Sequence, residues 1–219
     1  VSVTLGVRFP FGCYHATPWD KGVNDGHVEW PPSPWRILRA LVSTWYERSD
    51  LPARELDPLL ERLAAVPPRY RTPVATLSHT RHYMPDLNHV TGNRVQTDKV
   101  LDAFLAVDPQ QELLIRWDVD LDDEQVEQLQ TLADLVPYLG RSESVCQMRV
   151  VAVNESAPGE STAWWRPLSP GEPESSGSRL LCLEPAGFHR ALLEATPTQL
   201  RRARSPLRPP GTRWVPYAA

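Results

Sequence analysis

Cysteine and lysine are both scarce in this chain, and no run of about 18 apolar residues occurs in it. The missing run excludes a membrane-spanning helix. The N-terminus VSVTLGVRF alternates like a strand and lacks the basic-then-apolar build of a signal peptide. Three cysteines, Cys13, Cys146 and Cys182, are odd in number and far apart, with no CxxC pair. A disulfide framework and a cysteine zinc site are therefore unsupported, and the chain reads as cytoplasmic. No GxSxG, Walker-type loop or dinucleotide fingerprint is present, which removes the commonest hydrolase and nucleotide-binding readings. Ser33, Ser142 and Ser144 have no base and orienting acid nearby in sequence.

Lysine occurs twice against 21 arginines, so nearly every cation can make forked contacts to phosphate and stack on bases. The net charge of -4 argues against a globally basic binder of polyanions. That average hides a segregation, because seven acids and no Lys or Arg lie between Asp118 and Asp134. Taking those seven from the 27 acids leaves 20 against 23 basic residues elsewhere, five of them arginines between Arg201 and Arg213. A local basic surface is allowed.

With 219 residues, 41% of them hydrophobic, the chain can bury a real core. Val3, Leu5, Val7 and Phe9 alternate with smaller or polar residues and predict a first strand. A loop over 10–32 leads to Ser33 at an N-cap position and Pro34 at the first helical position. Leu38, Leu41, Val42 and Trp45 then recur at helical spacing to about Arg48, leaving Arg36, Arg39 and Ser43 on the other side. A second helix is predicted over 53–66, stopped by Pro67 and Pro68. Strands over 75–84 and 99–107 flank a polar segment, 86–98, which suggests a long hairpin. That segment is too polar to pack alone and is expected to order on a ligand or neighbour. Further predictions are a strand over 112–119, a helix over 122–135 with acids in its first turn, and a strand over 145–153. A Pro/Gly/Ser/Glu-rich surface excursion covers 154–178, followed by a short strand over 180–183 and an extended, proline-rich tail over 201–219. This order of elements predicts an α+β, ferredoxin-like sandwich.

Two metal readings fail on geometry. His79 and His82 lie three apart on a strand and point to opposite faces, so they are poorly placed to share an ion, with His89, on the hairpin. DVDLDDEQVEQL resembles a calcium loop, but Asp123 stands where glycine is needed and Leu129 where glutamate is needed. Neither a metal nor a cofactor is expected. Two other segments suit an anion. The helix start at Ser33, followed by Arg36 and Arg39, offers N–H groups, the positive end of a helix dipole and full charges. In PYLGRSES, Gly140 permits a tight turn, and Arg141 and Ser142 add a cation and a hydroxyl beside backbone N–H groups. The plain alternatives are a core helix with a wet arginine face and a helix-ending glycine with a solvated arginine.

YHATPW (14–19), EWPPSPWRILRALVSTW (29–45), YLGRSES (138–144) and RPPGTRWV (208–215), taken in order, resemble the N-terminal part of the fused Cas-five/Cas-six protein of type I-G (formerly I-U) CRISPR systems. The resemblance runs over nearly the whole chain. It implies a RAMP domain over 1–200 with a ferredoxin-like core and a protruding hairpin thumb at about 80–100. The basic segment 201–219 would be a linker toward a Cas-six-like domain. It further implies an antiviral subunit that caps the 5′ handle of CRISPR RNA in a Cascade surveillance complex. Cas-seven-like backbone subunits and the large subunit would lie beside it, and target DNA would be met through the complex. The implied RNA contacts are Tyr14, His15, Ser33, Arg36, Arg39, Arg81, His82, Tyr83, Arg94, Lys99, Gly140, Arg141 and Ser142. No catalytic residue is expected within 1–219, because RNA processing would belong to the Cas-six-like portion. The chain starts with Val1 and stops at Ala219, about where that portion should begin. The alternative is a metal-independent endoribonuclease using Tyr14, His15, His82 and Tyr83 as acid–base groups. A scaffold that touches no nucleic acid is the third reading.

Overall fold

The computed structural model describes residues 2–22, 24–91, 94–151, 164–169, 171–174, 178–196, 199 and 208–218, with the side chains at 86–91, 94–96 and 98 outside that description. Val3, Leu5 and Val7 place β1 (Val3–Arg8) at the centre of an antiparallel sheet of order β3-β6-β1-β7. Its companions are β3 (Arg69–Arg71), β6 (Glu112–Trp117) and β7 (Gln147–Val150). Two helices, α1 (Pro34–Arg48) and α2 (Ala53–Ala65), connect β1 to β3, and α3 (Asp123–Leu135) connects β6 to β7. Leu5, Val7, Ile115 and Trp117 from the sheet share one core with Leu38, Leu41, Leu56, Leu60, Leu129 and Leu132 from the helices.

The helix ends follow their sequence signals. Ser33 caps α1 by accepting from Arg36 N at 3.3 Å. Asp122 and Gln125 form a reciprocal capping box at the start of α3, which sets the acids of its first turn against the dipole. On α1, Leu38 and Val42 are buried as the spacing predicts, whereas Trp45 is half-buried and donates from Nε1 to Leu51 O at 2.5 Å.

A second antiparallel sheet, of order β2-β5-β4, is the long hairpin. It comprises β2 (Cys13–Tyr14), β4 (Ala75–Thr91) and β5 (Arg94–Val107). Its strands run much further than 84 and 99. The segment expected to be a polar insertion is itself paired, to Thr91 opposite Arg94, with an irregularity between Asp86 and Val90. On its other side β5 pairs with β2 at the hairpin base, and β4 is an outer strand among the described residues.

The tail requires a correction. Thr212–Ala218 is not a linker but β10, the middle strand of a third sheet, between β8 (Arg166–Pro167) and β9 (Arg179–Leu183). Tyr217 is fully buried, packs 5.7 Å from the Tyr70 ring, and donates to Pro68 O at 2.9 Å. A four-residue α4 (Ala191–Glu194) packs on α1. Of the expected excursion over 154–178, residues 154–163, 170 and 175–177 lie outside the described residues, but Trp165 within it does not stand off. Trp165 exchanges both backbone hydrogen bonds with Tyr70, at 2.7 and 2.8 Å.

Candidate nucleic-acid interface

The stretch from Glu29 to Pro34 is packed into the core before it delivers the chain to α1. Glu29 N donates to Ala16 O at 2.8 Å, Trp30 lies 5.2 Å from the Tyr14 ring, and Pro32 O accepts from the Tyr70 hydroxyl at 2.9 Å. The Glu29 carboxylate is 7% exposed and accepts from Ser33 N at 2.8 Å, Arg36 Nε at 2.7 Å and Arg36 Nη2 at 3.2 Å. Arg36 Nη2 also donates to Thr17 O at 2.8 Å. Burial is the largest influence on Arg36 and opposes its charge, but the Glu29 charge, nearby Tyr14 and the hydrogen bond to Glu29 together hold the guanidinium's pKa above its ordinary value. Arg39 lies over the Trp35 ring, 4.8 Å from its centroid, and donates from Nη1 to Leu193 O and Ala195 O at 2.5 and 2.6 Å. Burial, then neighbouring Arg36, lower its pKa. Ser33 is fully buried. The helix start is therefore a structural joint: of the residues expected on phosphates, Ser33 is buried, and Arg36 Nε and Nη2 and Arg39 Nη1 have partners inside the fold.

The PYLGR turn is likewise consumed by packing. Gly140 adopts φ +100°, and a Cβ there would stand 2.5 Å from His15 O. That carbonyl accepts from Arg141 N at 2.8 Å and from the Ser144 hydroxyl at 3.2 Å, while His15 N donates back to Ser144 Oγ at 2.7 Å. The N–H of Arg141, expected to cradle an anion, is thus already bonded. Its guanidinium donates from Nη1 to Asp102 Oδ1 on β5 at 3.0 Å. His82 Nε2 lies 3.4 Å from the other oxygen of Asp102, and His15 Nδ1 lies 2.9 Å from Glu143 Oε1. A polar chain from His82 through Asp102, Arg141 and Glu143 to His15 thus ties the hairpin to the turn. Ser142 alone of the turn's predicted contacts is exposed.

Tyr14 is fully buried between Phe9 and Trp30, with its hydroxyl unpartnered, and burial raises its pKa well above the usual tyrosine value. His15 is 6% exposed. Both are corrected: neither presents a side chain to an RNA backbone, as a contact or as an acid–base group. Burial and the nearby Arg141 lower the His15 pKa, against the opposing pull of Glu143 and Asp102. The folded pKa then lies below the unfolded one, so the unfolded chain binds more protons as the solution is acidified. The contribution is complete above about pH 6.5 and is lost as pH falls through the folded pKa. Wild type should melt lower at pH 5.5 than at 7.5, and His15→Gln should flatten that difference. An identical pH profile for the two proteins would refute it.

The first half of α1 and the turn lie side by side. Arg36, Arg39 and Ser43 line a groove of about 230 Å3 with Pro137, Tyr138 and Gly140. Glu47 shares that groove, and both arginines already have partners.

The hairpin differs. Leu77, His79, Arg81 and Tyr83 follow at every second position of β4 and share one face. Tyr83 is 65% exposed and pairs across the ladder with Lys99, whose side chain is also exposed. Arg81 is exposed, and neither it nor Lys99 has an ion-pair partner among the described residues. His82 and the exposed Met84 project from the opposite face. Arg94 pairs with Thr91 at the tip, and its side chain lies outside the description. Of the predicted contacts, Arg81, Tyr83 and Lys99 are thus brought together and left accessible.

Glu29 and Asp102, the carboxylates that claim Arg36 and Arg141, were not singled out from the sequence. Asp102 is 39 positions from its partner, and no local spacing signals it. No protein-family model matches the chain, and no curated protein matches it significantly.

Proposed function

We propose that this chain is a CRISPR RNA-binding subunit of a Cascade-type complex that grips RNA with the hairpin face bearing Arg81, Tyr83 and Lys99. The single observation that carries this reading is the hairpin itself. Paired strands of 17 and 14 residues expose, on one face, an aromatic ring and two cations that have no ion-pair partner among the described residues. Cations on phosphates and a ring under a base are the sequence-tolerant means of holding a single strand. Two further features favour the Cas-five-like assignment. The connectivity β1-α1/α2-β3-β6-α3-β7, with the order β3-β6-β1-β7, suits a ferredoxin-like core. The hairpin is inserted between β3 and β6, where a thumb could project to the RNA and to the next subunit.

The RNA is the 5′ handle, the neighbours are Cas-seven-like and large subunits, and target DNA is met through the assembly. The Cas-six-like portion, rather than the buried Tyr14 and His15, is the proposed source of RNA cleavage. A phosphate-holding role for Arg81 and Lys99 sets a salt signature. Arg81→Ala and Lys99→Ala should each weaken binding of intact and scrambled handle RNA alike. Each should lower the log–log salt slope by about 0.7, the value for one phosphate on a single strand. Unchanged slopes in both variants would overturn the assignment of these cations to phosphates.

A further inference from the structure

We propose a second site, at the opposite charge extreme of the molecule: a cleft at the end of α1 that receives a cationic side chain, arginine or lysine, of a protein partner. The inference does not depend on the RNA reading. The cleft, of about 470 Å3, lies where the C-terminal end of α1 meets α2 and α3. Asp50, Glu55, Glu124 and Glu127 line it, against one cation, Arg48. The C-terminal carbonyls of a 15-residue helix add the negative end of its dipole. Among the described residues, Asp50 and Glu127 have no ion-pair partner.

Acidity alone would describe a solvated surface, and Gln128 is what distinguishes the cleft. Its side chain lines the same space, is 9% exposed, and leaves Oε1 without a hydrogen-bond partner. Nε2 donates to Glu124 Oε1 at 3.2 Å, which fixes the orientation of the amide, because a flipped amide would set oxygen against oxygen. The unpaired atom is therefore an acceptor, and a buried acceptor without a partner is costly to keep. A donor that also carries positive charge satisfies Gln128 and neutralises the carboxylates at once. A guanidinium or ammonium does both, and an anion does neither. Among the described residues no group of three His, Cys, Asp or Glu is close enough to hold a metal ion, which favours an organic cation. A basic protein segment fits this end of the molecule, since the seven acids of 118–134 would repel a nucleic-acid backbone.

The probe is a fluorescent acetyl-(Gly-Arg)4-amide peptide titrated into the full chain at low salt, with a neutral citrulline twin as control. The arginine peptide should bind and the twin should not. Asp50→Asn/Glu127→Gln should weaken binding about tenfold, since charge-assisted contacts are lost while the fold keeps its shape. Gln128→Leu should weaken it about threefold or more without lowering the melting temperature, because it removes an acceptor the free protein leaves unpaired. Equal binding of the twin, or unchanged affinity in Asp50→Asn/Glu127→Gln, would overturn the proposal. Unchanged affinity in Gln128→Leu would leave a diffuse acidic surface and overturn the built site.

Discussion

Glu29→Ala should cost roughly 3–5 kcal/mol of folding stability, the range for breaking a buried ion pair from one side. The carboxylate holds three donors, from Ser33 N and the Arg36 guanidinium, at 2.7 to 3.2 Å. Its removal leaves a guanidinium, 20% exposed, with Thr17 O as its remaining partner. It also strips a bond from Ser33 N at the start of α1. Glu29→Gln keeps the shape and one acceptor and should cost less. Glu29→Leu/Arg36→Met, which removes both charges, should lie closer to wild type than Glu29→Ala does. Urea denaturation of the variants measures this. A loss below about 1 kcal/mol for Glu29→Ala would show that water screens the pair as it does at a surface.

Gly140→Val should cost about 4 kcal/mol or more. A β-branched residue is an outlier at φ +100°, and the strain of a forced left-handed backbone is on the order of 1–3 kcal/mol. The added Cβ also meets the His15 carbonyl at 2.5 Å, a backbone atom held by Arg141 N and Ser144 Oγ that cannot rotate away. Relief requires β2 to part from the turn, which breaks the contact between the hairpin base and the central sheet. Hydrogen exchange should quicken around Tyr14 and His15 as well as in the turn. Near-wild-type stability would mean that the turn relaxes freely and that the glycine is incidental.

Both substitutions fall in segments whose shape was legible in the sequence and whose purpose was not. Proline and serine spacing located the start of α1, alternation located β1 and β6, and α3 was placed over 122–135 with acids in its first turn. These signals act within a few residues of themselves. The short strands β2, β3 and β8, two or three residues each, carry too little alternation to be read. β10 was obscured by Pro216 and by the prolines that precede it, although Val215 and Tyr217 keep the alternation that buries them. The site misled for a related reason. An arginine's availability depends on which distant carbonyl or carboxylate reaches it, as Thr17 and Glu29 reach Arg36 and Leu193 and Ala195 reach Arg39. On the hairpin, by contrast, alternation on an isolated ladder already separates the two faces. Arg81, Tyr83 and Lys99 could be read there because nothing among the described residues covers them.

The most direct test is to map where RNA touches the protein. CRISPR handle RNA carrying 4-thiouridine would be crosslinked to the wild-type chain, and the adducts located by mass spectrometry. The account predicts adducts on the hairpin peptide containing Arg81 and Tyr83, and none on the α1 peptide containing Arg36 and Arg39. Adducts confined to α1 and to the turn at Tyr138, with the hairpin unmarked, would contradict it.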